Sequence, residues 1–406
     1  MKRLENQKIL VAVTGGIAAY KACDLIRRLQ EEGAQVSAMM TPAAGEFITP
    51  LTLECLTQAP VYLNNLENTL EGIPTHIALA QQMDAMVILP CSANTLAKLA
   101  YGMADNLVTT TAITFTDKPI VIAPAMNTRM WMNPLVQKNL SILSALSNTT
   151  LIPPDTGSLA CGEEGEGKLA DLDTVLLTIY QATHPSQNLY QGKRVVVTAG
   201  ATQEPIDPVR AITNRGSGKM GIALADELFA MGADVCLIHT LPSLHKPYQT
   251  VRVQTVEELG KQTQLQFKTA DGLIMAAAVS DFKVAKADQK IKKQPSLNLS
   301  LEKTDDILQT LSSTKKPGQF TMGFAAESEN MLAHAQEKLR YKQLDMIVAN
   351  DISRDDIGFQ TDENEVTLLF PDKPNIHLEK APKWFIARDI LIHANDHIAV
   401  NAALAR

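Results

Sequence analysis

Residues 118–131 read KPIVIAPAMNTRMW, an apolar run followed by a polar turn. The first six residues form a short, mostly apolar run with β-branched side chains, which is typical of a central strand in a parallel sheet. Ligands of open α/β sheets bind beyond the carboxyl ends of such strands. Asn127 is therefore placed where a substrate would bind, and Trp131 could form a wall of the pocket. The stretch alone leaves a second interpretation open, in which Asn127 caps a helix and Trp131 belongs to the core.

Length and composition limit the classes to which the chain can belong. With 406 residues it exceeds one ordinary core, so two or three domains are expected. A net charge of -7 argues against a nucleic-acid surface. No apolar run reaches the ~18 residues of a membrane span, and no signal-peptide pattern precedes the first strand. Five widely spaced cysteines without a CxxC pair indicate reduced, cytoplasmic thiols and offer no metal cluster.

Strand-like and helix-like segments alternate in the first half of the chain. The predicted strands cover residues 9–13, 36–40, 85–89 and 120–123. The predicted helices cover residues 18–32, 94–108 and 134–146. This βαβ alternation predicts a parallel, doubly wound sheet.

The alternation weakens over residues 178–188, a polar segment with a proline that we interpret as a linker. It then restarts with strands predicted at 193–200, 233–240 and 272–279, and with a helix that begins in residues 216–221 and runs to Met231. The sequence thus predicts an α/β protein of two Rossmann-like domains, residues 1–190 and 191–406. Each domain is expected to have a mostly parallel sheet flanked by helices.

Two polar turns in the first half suit a phosphorylated ligand. Residues 13–21 read VTGGIAAYK, a glycine turn at a helix start that presents backbone N–H groups to a phosphate. The GxGxxG spacing of dinucleotide sites is missing, and by itself a structural turn is about as good an interpretation. The second turn, PCSANT at residues 90–95, also follows a predicted buried strand. Two such turns at one crevice favour a phosphorylated cofactor.

A glycine-rich segment carries the candidate catalytic cysteine. Residues 157–167 read GSLACGEEGEG, with Cys161 among four glycines. We interpret the segment as too flexible for the core and as a mobile loop that closes over a site. This favours a catalytic over an incidental Cys161. His76, a single histidine, is more often structural than catalytic when taken alone.

The four motifs TGGIA, SANT, PAMN and ACG occur in this order at residues 14–18, 92–95, 124–127 and 160–162. Together they resemble the flavin-dependent cysteine decarboxylases, and most of all phosphopantothenoylcysteine decarboxylase. The resemblance implies FMN, trimeric units with the flavin at a subunit interface, and His76 as the active-site histidine. It also implies that Asn127 binds the substrate carboxylate and that Cys161 donates a proton, as a protonated thiol can at neutral pH. The FMN contacts that it implies are Gly15, Gly16, Ile17, Ser92, Asn94, Thr95 and Met126.

The second half contains another pair of polar turns and a lysine-rich loop. Residues 200–210 read GATQEPIDPVR and residues 212–221 read ITNRGSGKMG, where the glycine turn again suits phosphate although no P-loop is present. Asn214 could equally be a helix cap. In the run KADQKIKK at 286–293, Lys292 and Lys293 are expected on a solvated face, whereas Lys290 lies downstream of Asp281 at a strand end. A triphosphate needs such cations, and magnesium needs a carboxylate such as Asp281.

This half resembles phosphopantothenate–cysteine ligase, and the order of the halves is that of the bacterial bifunctional coenzyme A biosynthesis proteins. The resemblance implies that CTP and phosphopantothenate form an acyl-cytidylate, which the amine of cysteine attacks. Lys290 then supports the first step, while Asn214 and Arg210 serve the later ones, and the ligase domains form dimers. The implied nucleotide contacts are Met275, Ala276, Ala277, Asp281, Lys290, Thr304, Asp305, Asp306, Ile307, Phe324, Lys338 and Lys342.

Two departures from the ligase pattern weaken part of this match. Gly216 stands where serine is usual, and Asp305 stands where proline is usual. Two other classes remain open: a flavoprotein binding module without turnover, and a two-domain nicotinamide oxidoreductase. Cys161 and its glycines favour an enzyme over the first. The second would need a GxGxxG turn with a downstream acid, which neither half shows. The partners expected are small-molecule substrates and further copies of the chain, with no nucleic acid and no membrane.

Overall fold

The computed structural model describes residues 2–63, 69–160, 162–293, 295–354, 356–358 and 360–404, with side chains described up to residue 398. The chain divides into two compact units, Met1–Pro185 and Ser186–Arg406. A helix, Leu172–Thr183, occupies most of the predicted linker, so that part of the prediction is wrong. None of the helices described is long and apolar enough to span a membrane.

The first unit is an α/β layer structure. Its strands are β1 (Lys8–Val13), β2 (Gln35–Met40), β3 (Thr69–Leu70), β4 (Ile73–Pro74), β5 (Ala85–Cys91), β6 (Ile120–Pro124), β7 (Thr149–Leu151), β8 (Asp155–Ser158) and β9 (Glu164–Lys168). Its α-helices are α1 (Lys21–Glu31), α2 (Pro50–Thr57), α3 (Thr75–Gln82), α4 (Ala93–Ala100), α5 (Leu107–Thr114), α6 (Thr128–Trp131), α7 (Pro134–Ser144) and α8 (Leu172–Thr183). Short 3-10 helices cover Ile17–Tyr20 and Pro42–Glu46.

The main sheet of this unit is parallel, with the strand order β2-β1-β5-β6-β7. Every residue of β5 and β6 is buried, because helices cover both faces of a parallel sheet and an unbroken apolar run is then required. The chain goes from β1 to β2 on one side and later enters β5 on the other. This reversal opens a crevice at the carboxyl ends of β1 and β5.

The second unit repeats the plan on a larger scale. Its strands are β10 (Arg194–Ala199), β11 (Gln203–Pro205), β12 (Ala211–Thr213), β13 (Asp234–His239), β14 (Gln249–Arg252), β15 (Gly272–Met275), β16 (Phe282–Val284), β17 (Leu301–Lys303), β18 (Phe320–Glu327), β19 (Met346–Asp351), β20 (Glu363–Leu369) and β21 (Ile376–Pro382). Its helices are α9 (Lys219–Ala230), α10 (Val256–Phe267), α11 (Ile307–Ser313), α12 (Met331–Tyr341) and α13 (Lys383–Leu404).

The sheet of the second unit has the order β14-β13-β10-β15-β18-β19-β20-β21. The strands from β14 to β19 are parallel, and β20 and β21 add antiparallel pairs at one edge. Buried apolar clusters lie on both faces of this sheet. The predicted class, two Rossmann-like α/β domains with mostly parallel sheets, is therefore confirmed, and the second crevice lies between β10 and β15.

Two predicted elements differ from the structure. The helix expected over residues 94–108 is two helices, α4 and α5, separated by a break. Gly102 in the break has a φ of 66°, and the Asn106 side chain accepts a hydrogen bond from the Thr109 N–H to start α5. The strand expected over 272–279 ends at Met275. Beyond it the Ala277 N–H is bound by the Thr198 hydroxyl, 3.1 Å away.

Candidate active sites

A cleft of about 600 Å³ lies at the carboxyl ends of β1, β5 and β6 in the first unit. Six of the predicted site residues line it: Gly15, Gly16, Ile17, Ser92, Met126 and Asn127. The two polar turns therefore do face one crevice, as the sequence predicts. Apolar groups such as Met130 and Leu169 complete the walls, with Lys21 and Lys168 as cations at the same site.

Thr14 joins the two turns, a role that sequence reasoning missed. Its hydroxyl donates to the Pro90 carbonyl at 2.7 Å and accepts from the Ser92 N–H at 2.9 Å. Thr14 is fully buried, so both bonds are shielded from water. The signal in the sequence was a hydroxyl residue that ends an otherwise apolar strand.

The glycine turn is tight at one position and open at the next. A Cβ on Gly15 would lie 2.7 Å from the Cβ of Ala43, whereas nothing lies within 4 Å of a Cβ on Gly16. The first glycine lets two backbones approach, and the second leaves space in front of the helix start. Such a cradle fits a phosphate group.

Asn127 lies at the cleft and also caps a helix, so the capping interpretation of its motif is confirmed and substrate binding stays a prediction. It caps α6, since its side-chain oxygen accepts from the Arg129 N–H at 2.8 Å. Its side-chain nitrogen donates to a carboxylate oxygen of Glu163 at 3.1 Å, and the Arg129 guanidinium binds the other oxygen at 3.2 Å. The amide is thus oriented to bind a carboxylate at the cleft. Trp131 is 8% exposed and packs in the core instead of forming a pocket wall.

The glycine-rich segment is a β-hairpin, β8–β9, in the part that the structure describes. Its glycines serve close packing: a Cβ on Gly167 would lie 2.3 Å from the Met126 carbonyl oxygen, and one on Gly165 2.4 Å from the Thr128 hydroxyl. The expectation that the whole segment is too flexible to pack is therefore wrong. Cys161 lies outside the described residues, but Leu159 and Ala160 before it line the cleft.

Three predicted residues of this half are not among those that line the cleft in the described structure: His76, Asn94 and Thr95. His76 is in the first turn of α3, and its carbonyl accepts from the Thr114 hydroxyl at 3.2 Å. Its ring Nδ1 is buried without a hydrogen-bond partner. Asn94 is exposed, and the hydroxyl of Thr95 accepts from that of Ser92 at 3.2 Å.

Two of the cavities in the described part of the second unit contain predicted nucleotide contacts. A small one of about 60 Å³ lies under the glycine turn of residues 216–221 and includes Ala276 and Phe324. A larger cleft of about 690 Å³ is lined by Thr304, Asp305, Asp306 and Ile307, together with Lys283 and Lys286. The small cavity has room for a phosphate-sized group only, so the predicted nucleotide contacts are divided between the two.

The glycine turn is built from close backbone contacts. Gly218, with φ 77°, is the N-cap of α9, so the interpretation of Asn214 as a cap of this helix is wrong. Instead the Asn214 amide donates to the Val279 carbonyl at 3.0 Å, which fixes it against the segment that follows β15. A Cβ on Gly216 would lie 2.8 Å from the Cβ of Ala278. Glycine therefore suits this backbone better than the serine that is usual there.

Two of the predicted nucleotide-binding lysines are engaged with carboxylates. Lys338 lies 2.6 Å from Glu327, and Lys342 lies 2.8 Å from Asp306. Burial raises the pKa of the Asp306 carboxyl, but the hydrogen bonds from Lys342 and the Gln309 N–H and the charges of Lys342 and Lys303 together outweigh it, so the net pKa is lowered. Asp306 also caps α11 through the Gln309 N–H.

The remaining predicted ligase residues differ in their surroundings. The Met275 side chain is buried in the core. Asp281 and Lys290 are exposed, and Arg210 is held by Asp207 in the turn between β11 and β12. Within the described ranges, no three His, Cys, Asp or Glu side chains come close enough together to hold a metal ion. The predicted magnesium ligand Asp281 therefore has no protein cluster around it there.

Comparison with known proteins assigns both halves. Residues 1–184 match the family model Flavoprotein, and residues 190–397 match the DNA/pantothenate metabolism flavoprotein C-terminal domain. The chain is 38% identical over 377 residues to the coenzyme A biosynthesis bifunctional protein CoaBC of Vibrio vulnificus strain YJ016, covering 91% of this chain and 93% of that protein. It is 39% identical over 395 residues to CoaBC of Bacillus subtilis strain 168, covering 96% of each. The chain belongs to the CoaBC family.

Membership of the CoaBC family confirms the resemblance found in the sequence, including the order of the two halves. The chain is a bifunctional enzyme of coenzyme A biosynthesis, with a flavoprotein decarboxylase half and a ligase half. A solved structure of the C-terminal domain of CoaBC covers 52% of this chain and 98% of its own, with 36% identity and a TM-score of 0.44.

Proposed function

We propose that the second unit ligates cysteine to 4′-phosphopantothenate with CTP, and that the first unit decarboxylates the product to 4′-phosphopantetheine with FMN. One observation carries the decarboxylase assignment: the two turns joined by Thr14 border the same cleft as the Asn127 amide, which binds a carboxylate. A phosphorylated cofactor and a carboxylate substrate would therefore meet in one place.

The cleft of the first unit fits FMN. Gly16 leaves open space beside the helix start for a phosphate, and the apolar walls from Ile17, Met126 and Met130 suit a flat ring system. When bound there, FMN supplies an acceptor, and later a donor, for a hydride.

The residues of the chain orient the substrate of the decarboxylase and supply a proton. Asn127 orients the carboxylate of phosphopantothenoylcysteine while the CH₂–SH group of the substrate loses a hydride and its thiol proton and becomes a thioaldehyde. Carbon dioxide then leaves, because the thiocarbonyl accepts the electron pair of the broken C–C bond. Cys161 donates the proton that, with the returned hydride, converts the ene-thiol to the thiol product.

A trimeric decarboxylase unit accounts for the position of His76. In a single chain His76 is absent from the described lining of the cleft, as expected for a residue that completes a site across a subunit boundary. The large apolar side chains of Ile17, Tyr20 and Leu51 are 61–66% exposed near the same end of the sheet. An exposed apolar surface of this kind is typical of an interface between protein chains and supports the proposed oligomer.

In the ligase, a carboxylate must become a good acyl donor before an amine can attack it. Lys290 supports the attack of the phosphopantothenate carboxylate on the α-phosphate of CTP, which releases pyrophosphate. Asn214 and Arg210 then hold the acyl-cytidylate while the cysteine amine displaces CMP. The carboxylates of the described residues form no cluster, so they do not fit a magnesium ion held by protein side chains.

The overall proposal is tested by one assay of the full chain. Incubation with 4′-phosphopantothenate, cysteine, CTP and magnesium should release both pyrophosphate and carbon dioxide, and the purified protein should be yellow with FMN. A yellow protein that releases neither product would favour the non-catalytic flavoprotein module. A colourless protein that reduces a nicotinamide cofactor would favour the oxidoreductase.

Cys161→Ser tests the proton donor separately. A serine hydroxyl is a far weaker acid than a thiol, so decarboxylation should proceed and an oxidised ene-thiol should accumulate beside reduced flavin. Cys55→Ser, which replaces an exposed thiol outside the cleft, is the matched control. Full turnover by Cys161→Ser would remove Cys161 from this role.

A further inference from the structure

Asp207 is a buried carboxylate in the turn between β11 and β12. It is 2% exposed. One of its oxygens accepts from the N–H groups of Val209 at 2.8 Å and Arg210 at 2.9 Å. These bonds fix the local turn, which is a common task for an aspartate. The second oxygen makes hydrogen bonds that the turn itself does not require.

That second oxygen connects two segments far apart in the sequence. It accepts from Nε of Arg210 at 3.0 Å and from the N–H of Ile291 at 3.1 Å. The guanidinium of Arg210 in turn donates to the Ile291 carbonyl at 2.8 Å. Asp207, Arg210 and Ile291 therefore form a closed set of hydrogen bonds that joins the turn to the loop of residues 285–293.

The loop concerned is the one that carries Lys290. Residues 285–293 have no helix or strand, so their position depends on contacts of this kind. A further bond to the same turn runs from the Ala287 N–H to the Ile206 carbonyl at 2.9 Å. Lys290 lies between these two anchor points, immediately before Ile291, and its own side chain is exposed.

The charge of Asp207 suits this role. The hydrogen bond from Arg210 holds the pKa of the Asp207 carboxyl well below its usual range. The group is therefore ionised at every pH at which the enzyme is expected to work. An amide in its place would turn an N–H₂ group toward the donors of Arg210 and Ile291, and buried donors would lose their acceptor.

We propose that Asp207 is a positioning residue of the ligase reaction, which holds Arg210 and the Lys290 loop together as one substrate clamp. Asp207 itself touches no substrate. The inference rests on the roles proposed for Arg210 and Lys290 in the ligase.

The test uses the full chain, in which the decarboxylase of the same molecule reports on folding. Asp207→Asn should slow pyrophosphate release about a hundredfold, the usual cost of a misplaced reacting group, and leave the decarboxylation of phosphopantothenoylcysteine unchanged. The loss should be the same from about pH 6 to pH 9, because the native carboxylate does not titrate there. Asp207→Glu, which keeps the charge, should recover part of the rate.

Asp226→Asn is the matched control for the loss of a buried carboxylate. Asp226 lies on α9, is 4% exposed, and accepts from Lys246 and Tyr248 in the segment between β13 and β14. This variant should lower the thermal midpoint of the second unit, because it disrupts a buried hydrogen-bond network. Pyrophosphate release per folded molecule should stay within about twofold of wild type, because Asp226 has no hydrogen bond to the Lys290 loop among those described.

A positioning role also predicts non-additivity. In a Lys290→Gln background, Asp207→Asn should add far less than its own hundredfold, because the group that it positions is gone. Multiplicative losses, or normal pyrophosphate release by Asp207→Asn, would overturn the inference. A wild-type chain without pyrophosphate release would instead overturn the proposed function itself.

If Asp207→Asn does not fold, Ile291→Pro removes the N–H from which Asp207 accepts, together with the backbone restriction that any proline brings. It should slow pyrophosphate release at least tenfold with both charges present, whereas Lys293→Pro, the same change two residues later, should not. Equal rates for the two proline variants would likewise overturn the inference.

Discussion

At the scale of single residues, the side-chain amide of Asn127 has two different tasks. Its oxygen caps a helix, and its nitrogen binds the Glu163 carboxylate. Glu163 belongs to the segment that joins β8 to β9, so a carboxylate of the protein occupies the position proposed for the carboxylate of the substrate. The substrate must displace it.

Glu163→Gln should therefore strengthen substrate binding slightly. The Glu163 and Arg129 side chains are 44% and 85% exposed, and exposed pairs contribute about 0.2–1 kcal/mol, so the KM for phosphopantothenoylcysteine should fall about twofold. Steady-state kinetics with kcat measured in parallel would show this, with Glu164→Gln as the adjacent control. A rise in KM would instead mean that Glu163 helps to bind the substrate.

Lys290→Gln should separate the two activities of the chain. A cation needed only for triphosphate chemistry has no part in the flavin unit, so pyrophosphate release should fall to a small residual rate while decarboxylation of supplied phosphopantothenoylcysteine is unchanged. Lys293→Gln changes a lysine expected to be solvated and serves as the control. Normal pyrophosphate release by Lys290→Gln would mean that Lys290 is only a solvated lysine, without a role in the ligase reaction.

Asn214→Asp should block the ligase at a later step. The native amide donates to the Val279 carbonyl at 3.0 Å, and a carboxylate there would face that oxygen without a proton to donate. Pyrophosphate should still be released once per active site, and acyl-cytidylate should persist. Rapid-quench analysis with labelled CTP measures both, and a variant that completes the cysteine step at the normal rate would contradict the assignment.

At the scale of elements, the β8–β9 hairpin is held on the Asn127 turn by glycines. Gly167 has φ 129°, and the Met126 N–H donates to its carbonyl at 3.0 Å. A side chain at this position would meet strain and a carbonyl oxygen at the same time. The hairpin can therefore pack closely against the Asn127 turn only because glycines stand at the contact positions.

Gly167→Ala should detach the hairpin from the cleft. Backbone strain of this kind costs about 1–3 kcal/mol, and the clash with Met126 adds to it. FMN content and decarboxylation should both fall, measured by absorbance per chain and by carbon dioxide release, with ligation retained. Gly72→Ala, at φ 81° with nothing within 4 Å, brings strain without a clash and should keep its FMN. Equal losses in both variants would show that contact with Met126 is unimportant.

At the scale of the whole molecule, the division between the units lies before residue 190. Tyr190, which the sequence assigned to the first domain, is 5% exposed in a core cluster of the second unit. Its hydroxyl donates to the Leu391 carbonyl at 2.8 Å. A cut placed after residue 190 therefore removes a core residue from the ligase half.

Separate fragments test this division. Residues 1–185 should keep FMN and decarboxylation, and residues 186–406 should keep ligation. A fragment of residues 191–406 should be about 3–5 kcal/mol less stable in denaturant titrations, the usual cost of deleting a buried aromatic side chain. Equal stability of the two ligase fragments would show that Tyr190 contributes little.

The sequence by itself determined the features that depend on short segments. Apolar β-branched runs specify buried parallel strands, and small residues after them specify turns that can bind phosphate, as at Gly15 and Gly16. These properties follow from neighbouring residues, so the α/β class and the turns that border the first cleft could be predicted. Four ordered motifs in one half and three in the other were also enough to indicate the family.

Only the tertiary structure decided which distant groups act together. Thr14 bonds to the turn 76 residues later, and Asp207 bonds to the loop 84 residues later. It also decided that Asn214 faces Val279 instead of capping a helix, and that the glycines of the hairpin pack closely. Such contacts depend on how strands are ordered in a sheet and where loops meet at its edge. No periodicity within a short window records them, because the free energy that fixes them comes from burial and hydrogen bonding between separate parts of the chain.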